Sequence, residues 1–149
     1  MKIEEEIKQP KFRNAHHKAV LNLLFTAGWV QGLNNEFFKE FGITGTQFNI
    51  LRILRGHHPE NISAKEIKSR MLDKNSDVSR LLDRLIAKKY VQKAQCKSDK
   101  RASDVMITKE GLKLLKSLDN KMDNTDSKII GLTTKEANQL SDLLDKCRA

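Results

Sequence analysis

The sequence predicts a mainly α-helical protein carrying one small β-hairpin. Three observations lead there. Apolar residues recur at spacings of three and four over long stretches of the 149 residues. Three helix starts carry both a capping box and a hydrophobic staple. The helical pattern gives way to strand-type sequence only between Tyr90 and Ile107, around the polar run Lys97-Ser98-Asp99-Lys100-Arg101.

Residues 1 to 10 mix charge with Pro10 and read as a short arm, ordered only if it docks elsewhere. From about Phe12 to Phe41 a long helix is signalled by Val20, Leu23, Ala27, Val30, Asn34, Phe37 and Phe41. That stripe resembles a coiled-coil seam and wants a partner. Gly28 and Gly32 each weaken the helix by about 1 kcal/mol relative to alanine, so close packing or a bend is expected there. The capped starts follow: Thr44 with Gln47, Ser63 with Glu66, and Thr133 with Glu136, flanked by the staple pairs Ile43 and Phe48, Ile62 and Ile67, Leu132 and Ala137. They predict helices over about Thr46 to Gly56, Ala64 to Leu72 and Thr134 to Lys146. A further helix over about Asn75 to Lys89 begins after Asp73-Lys74-Asn75, and Val78, Leu81, Leu82, Leu85 and Ile86 form its buried face. Its other face carries Ser76, Ser79, Arg80, Asp83 and Arg84. Tyr90, Val91, Ala94 and Cys96 make a first strand and Ser103 to Ile107 a second. Thr108 then caps a helix striped by Leu112, Leu115, Leu118 and Met122.

A polar-fronted helix, a basic hairpin tip and a helix restart come in the order of a winged helix-turn-helix facing DNA. Small hydroxyls near a helix start, with arginines a turn further on, suit a helix lying in the major groove. The charge agrees. Of the net +9, residues 42 to 110 hold 15 Lys and Arg against 8 Asp and Glu, whereas the other 80 residues hold 13 against 11. Clustered positive charge attracts a polyanion, and duplex nucleic acid gains affinity by releasing counterions. An anionic membrane surface would be attracted too. However, no window approaches the roughly 18 apolar residues of a spanning helix, and the start MKIEEEIKQPKFR has no apolar signal region. A soluble, cytoplasmic protein is expected. Cys96 and Cys147 are too few for a disulfide framework and lack metal-type spacing, so reduced thiols are the expectation.

The run Val78-Ser79-Arg80-Leu81-Leu82-Asp83-Arg84-Leu85, then Asp99-Lys100-Arg101, then Ile107-Thr108-Lys109-Glu110-Gly111 resembles the recognition helix, wing and wing-to-helix junction of the MarR family of bacterial transcriptional regulators. The resemblance runs from about residue 15 to 147. It implies a single domain over residues 1–149, a winged helix-turn-helix DNA-binding lobe at 42–108, and a helical dimerisation lobe made of 11–41 and 109–149. It further implies a homodimer on a pseudo-palindromic operator of double-stranded DNA, acting as a repressor. Under that resemblance Lys74, Asn75, Ser76, Asp77, Ser79 and Arg80 are the candidates for base-edge and phosphate contacts. Asp77 would be repelled by phosphate unless it accepts from a cytosine amino group, positions an arginine or caps the helix; the last two are favoured. Arg84 suits a phosphate or an internal acid. Arg101 is placed in the minor groove, Asp99 beside it as an orienting ion-pair partner, and Lys97 and Lys100 on phosphates. Asp104 offsets part of that charge.

This chain departs from the family pattern at Lys89, where a glycine is usual after the recognition helix, and at Lys93, where arginine is common. The helix is therefore expected to end differently, although lysine near a helix C-terminus is electrostatically favourable. The reactive first-helix cysteine of redox-sensing members is missing, and Cys147 reads as a buried or inert thiol. Many relatives release DNA when a small aromatic or anionic effector enters a cleft, for which His16, His17, Trp29 and Phe48 are the candidates. The adjacent pairs His16-His17 and His57-His58 point in different directions on a helix, so no metal or other cofactor is expected. No glycine-rich phosphate loop, zinc-hydrolase motif, nucleophile elbow or acid-base carboxylate pair is present, and no enzyme is expected. The alternative to an operator reader is a winged module for protein or RNA contacts.

Overall fold

The computed structural model describes residues 1–94, 104–122 and 125–149, the side chains of 127 and 129 excepted. It comprises two compact units, Met1–Asn49 and Ile50–Ala149. The order of elements is α1 (Ile3–Glu6), α2 (Ala15–Lys39), α3 (Gly45–His57), α4 (Ala64–Arg70), α5 (Val78–Ala87), β1 (Val91–Lys93), β2 (Val105–Ile107), α6 (Lys109–Met122), α7 (Thr125–Ile130) and α8 (Thr134–Cys147). Mainly α with one hairpin, the architecture is the one the sequence predicts.

In the first unit the N-terminal arm is docked. Ile3 is buried, and the Glu4 carboxylate pairs with the Lys18 ammonium of α2. That ammonium also lies 5.6 Å from the centroid of the Phe12 ring. Lys18 holds the Glu4 carboxyl below its ordinary value, chiefly by hydrogen bonding. The long helix starts later than its apolar stripe suggests, because Asn14 caps it by accepting from the His17 amide at 2.9 Å. It stops where Gly42 takes a left-handed backbone (φ 68°), a conformation that glycine adopts without a Cβ penalty. Phe38 is buried and stacks on Phe48, centroids 4.5 Å apart. Val20, Leu23, Leu24, Phe25 and Trp29 stay exposed on α2. Gly28 and Gly32 sit inside an uninterrupted helix with nothing within 4 Å of where a Cβ would stand. The close packing expected at these two glycines is therefore not found within this unit.

The second unit is organised around Ile50, Leu51, Leu54, Ile67, Met71, Leu85, Leu115 and Leu118, all essentially inaccessible. Strands β1 and β2 pair antiparallel with Val91 opposite Ile107 and Lys93 opposite Val105. Val91, Val105 and Ile107 are buried and Gln92 is exposed, as in a sheet with one wet face, but Lys93, on the same face as Val91, is exposed at the end of β1. A bridge unforeseen in the sequence joins the hairpin to the residue before the α4 cap: Ile62 and Val105 exchange hydrogen bonds at 3.0 and 2.9 Å. Arg55 of α3 and Asp119 of α6 pair at 2.7 Å across 64 residues of sequence. The three predicted capped starts are all present. Thr44 and Gln47 form both bonds of a capping box, as do Thr133 and Glu136. Ser63 accepts from the Glu66 amide at 3.1 Å. Helix α7 had no counterpart in the apolar pattern. Leu140 and Leu143 of α8 are exposed. Among the described residues no helix is long and apolar enough to cross a membrane.

Candidate nucleic-acid interface

Helix α5 is shorter at both ends than its predicted span of Asn75 to Lys89. Two aspartates set its start. Asp73 accepts from the Asn75 amide at 2.9 Å, folding a turn, and Asp77 accepts from the Arg80 amide at 3.2 Å as the N-cap. Short acceptors of this kind compete with the helical bond pattern, which is why Lys74, Asn75 and Ser76 lie in the turn and not in the first helical turn. Asp77 thus has the capping role favoured for it.

The two faces of α5 separate as their residue types demand. Val78, Leu82 and Leu85 are buried, with Leu85 wholly inaccessible, whereas Ser79, Arg80, Asp83 and Arg84 are exposed. Arg84 forms no ion pair among the described residues. Lys74 and Asn75 are exposed, and the Lys74 ammonium donates to the Ser69 carbonyl. Ser76 departs from its candidates' surface. It is only 8% exposed, and its Oγ has no hydrogen-bond partner among the described residues.

The exit of α5 is fixed by an arrangement that the expected change of ending missed. Lys89 takes the left-handed conformation (φ 65°). The Lys89 amide donates to the Ile86 carbonyl at 2.9 Å and the Tyr90 amide to the Leu85 carbonyl at 3.1 Å, the two bonds of a Schellman motif. The helix therefore ends as it would with glycine, and the lysine bears the steric cost. The α6 start clasps this exit. Thr108 donates its amide to the Tyr90 carbonyl and its hydroxyl to the Lys89 carbonyl, and its Oγ1 accepts from the Gly111 amide. A Cβ on Gly111 would stand 2.5 Å from the Tyr90 carbonyl oxygen, so only glycine fits. Recognition-type helix and hairpin are thereby joined through one short, tightly packed junction.

The hairpin stem is described as far as the Ala94 amide, which donates to the Asp104 carbonyl at 2.8 Å. Cys96, Lys97, Asp99, Lys100 and Arg101 lie outside the described residues. Cys147 is a free thiol exposed on α8, so of the expected buried or inert thiol the burial is not found in the single chain.

A feature the sequence reading missed lies beside α5. Lys65 and Lys68 of α4, together with residues 75–79, line a pocket of about 470 Å³. The signal was present as two lysines three apart on the polar face of a short helix, but nothing in the sequence said that the turn would fold back beside them. The four effector candidates are not brought together in the first unit. His16 and His17 precede Trp29 by 12 to 13 residues on one helix, roughly 18–20 Å at about 1.5 Å per residue. The His17 Nδ1 accepts from the Arg13 amide, Trp29 is exposed, and Phe48 is committed to Phe38. No group of three or more metal-ligating side chains occurs among the described residues.

Comparison with known proteins places this arrangement. The model of the MarR family matches residues 41–102, which take in α3, α4, α5 and β1. The transcriptional regulator PapX of Escherichia coli is 22% identical over 114 residues, 76% of this chain and 70% of that protein. The crystal structure of a MarR transcription factor from Planctomyces limnophilus superimposes with a TM-score of 0.70 at 29% identity, covering 93% of this chain and 98% of that one. A cysteine-to-serine mutant of MarR from Escherichia coli, complexed with operator DNA, gives a TM-score of 0.73 at 25% identity over 84% of this chain and 89% of that one. The chain is thus similar to MarR-family transcription factors, by the family model over residues 41–102 and by fold over most of its length.

Proposed function

We propose that this protein is a sequence-specific double-stranded DNA-binding repressor that acts as a homodimer on a pseudo-palindromic operator. The observation that carries the reading is the exposed row Ser79, Arg80, Asp83 and Arg84 on α5, held outward by buried Val78, Leu82 and Leu85. Short hydroxyls and arginines on a rigid helix are what base edges and phosphates of the major groove select. The operator complex of the Escherichia coli relative supports the same use of the fold. Residues 42–108 form the DNA-reading lobe in this account. Arg101 enters the minor groove beside Asp99, and Lys97 and Lys100 hold phosphates. Segments 11–41 and 109–149 supply the dimer contacts, for which the exposed apolar side chains on α2 and α8 offer surface. A dimer seated on a promoter excludes polymerase without further machinery. A small aromatic or anionic effector would lift repression only by binding the released form more tightly.

The test compares operator and random duplex. Arg80→Ala should relax or abolish sequence choice, whereas Lys100→Ala should weaken both duplexes alike and flatten the salt slope by about one unit per protomer bound. Equal loss on operator and random duplex in Arg80→Ala would remove its base-reading role.

A further inference from the structure

Helix α6 turns a basic row to solvent. Lys109, Lys113 and Lys116 stand four and then three residues apart, so they share one face of the helix, opposite the buried Gly111, Leu115 and Leu118. All three are exposed, and none forms an ion pair among the described residues. The acids of α6 lie off this row. Asp119 is taken by Arg55 at 2.7 Å, and Glu110 is set about 100° round the helix from Lys109.

Solvated lysine rows are common, and a second observation sets this one apart. Lys89 holds a left-handed backbone (φ 65°), which a Cβ makes costly and which persists where a side chain is put to use. Its carbonyl accepts from the Thr108 hydroxyl at 2.7 Å, so the strained lysine and Lys109 leave adjoining points of the junction. Lys89 too is exposed and without an ion pair among the described residues. Lys109 is poorly placed by its own helix, since a cation in the first turn meets the positive end of the helix dipole, and Lys113 one turn on repels it. Strain at one lysine and repulsion among its neighbours thus fall at the same place. An anion there would offset the repulsion and engage the Lys89 ammonium.

The length of the row selects among anions. From Lys109 to Lys116 the helix rises about 10 Å, at about 1.5 Å per residue. One strand of duplex DNA presents a phosphate about every 3.4 Å along the axis, so the row spans about three of them, whereas a small anion would meet only part of it. Only Thr108 separates β2 from α6, so the row runs on from the hairpin that is proposed to enter the minor groove. That continuity favours DNA over an acidic protein surface as the occupant. We propose that Lys109, Lys113 and Lys116, with Lys89 at their foot, hold the sugar-phosphate backbone of DNA flanking the operator, outside the half-sites that α5 reads. The proposal rests on the DNA-binding reading and deepens it: the contact lengthens the footprint and carries no sequence information. Glycine is usual in the MarR family at the position of Lys89, so the foot of this grip is not given by the fold.

The experiment is a salt titration of full-length protein against two duplexes. One ends at the outer edges of the half-sites, and the other is extended at each end by about 10 bp, one helical turn, of random sequence. The variant Lys109→Gln/Lys113→Gln/Lys116→Gln keeps good helix formers and removes the three charges. On the extended duplex it should lower the steepness of log K against log salt by about two to three units per protomer bound, and on the short duplex it should match the parent. Lys89→Gly should lower the steepness on the extended duplex by about one unit per protomer bound while its urea midpoint rises, so the weaker binding is not a loss of fold. Equal steepness for parent and triple variant on the extended duplex overturns the proposal. So does an equal reduction on both duplexes, which would place the lysines inside the half-sites. Equal steepness together with Lys113 and Lys116 amide resonances that shift with polyglutamate would assign the row to an acidic protein surface instead. A parent that binds neither duplex refutes the operator reading, and the proposal with it.

Discussion

Lys89 and Gly111 carry opposite errors of fit within one junction. The left-handed backbone at Lys89 costs a residue with a Cβ roughly 1–2 kcal/mol, part of which glycine would return as greater unfolded-state freedom. Lys89→Gly should therefore stabilise the protein by about 0.5–1 kcal/mol, read as a higher urea midpoint at unchanged slope and fixed protein concentration. Gly111→Ala should do the reverse, by about 1–3 kcal/mol, because its methyl group would meet the Tyr90 carbonyl and the Ile107 side chain. Finding both substitutions neutral would contradict the junction described. At this scale the sequence was partly legible. Asp77 could be read as a cap from its place before an apolar run, and Ser79, Arg80 and Arg84 as outward. The burial of Ser76 could not, since a hydroxyl carries no apolar signal and its position depends on how the turn folds. The same holds for the partnership of Arg55 with Asp119, which the tertiary fold alone brings together.

The helices were legible wherever side chains serve their own backbone. Thr44, Ser63 and Thr133 each accept from the amide three residues on, as their spacing predicts. Boundaries shifted where the cap stands further along the chain than the predicted start: Asn14 delays α2, and Asp77 delays α5. The short α1 and α7 escaped because four to six residues are too few to display a period. The α8 capping box has a measurable pH signature. The Thr133 hydroxyl, and after it the Thr133 amide, hold the Glu136 carboxyl below its ordinary value of 4.5. The folded-state pKa is lowered, so the stabilisation is complete above the unfolded value and is lost as pH falls through the folded one. Glu136→Gln can keep the box but not the titration. The stability difference between parent and variant should hold constant at neutral pH and change on acidification below 4.5. A difference that does not vary with pH would place the carboxylate outside this linkage.

Across the whole molecule, α2 and α8 leave a set of large apolar side chains in water: Val20, Leu23, Leu24, Phe25 and Trp29 on one, Leu140 and Leu143 on the other. The three-four stripe on α2 had signalled a helix in need of a partner, and among the described residues these side chains stay exposed. A second copy is the occupant proposed for them. The basic excess between residues 42 and 110 coincides with α4, α5 and the hairpin stem, so charge and recognition helix fall in the same stretch. That coincidence was readable from composition, whereas the lysine-lined pocket needed the turn in three dimensions. The measurement that tests the central claim most directly is a titration of purified protein against genomic duplex fragments, including its own upstream region. It is made at two salt concentrations with random duplex as competitor, and the mass of the complex is determined. The account predicts two protomers on a selected fragment with half-sites about one helical turn apart, and an affinity that falls steeply with salt. Binding with no preference for any duplex at either salt concentration would contradict it.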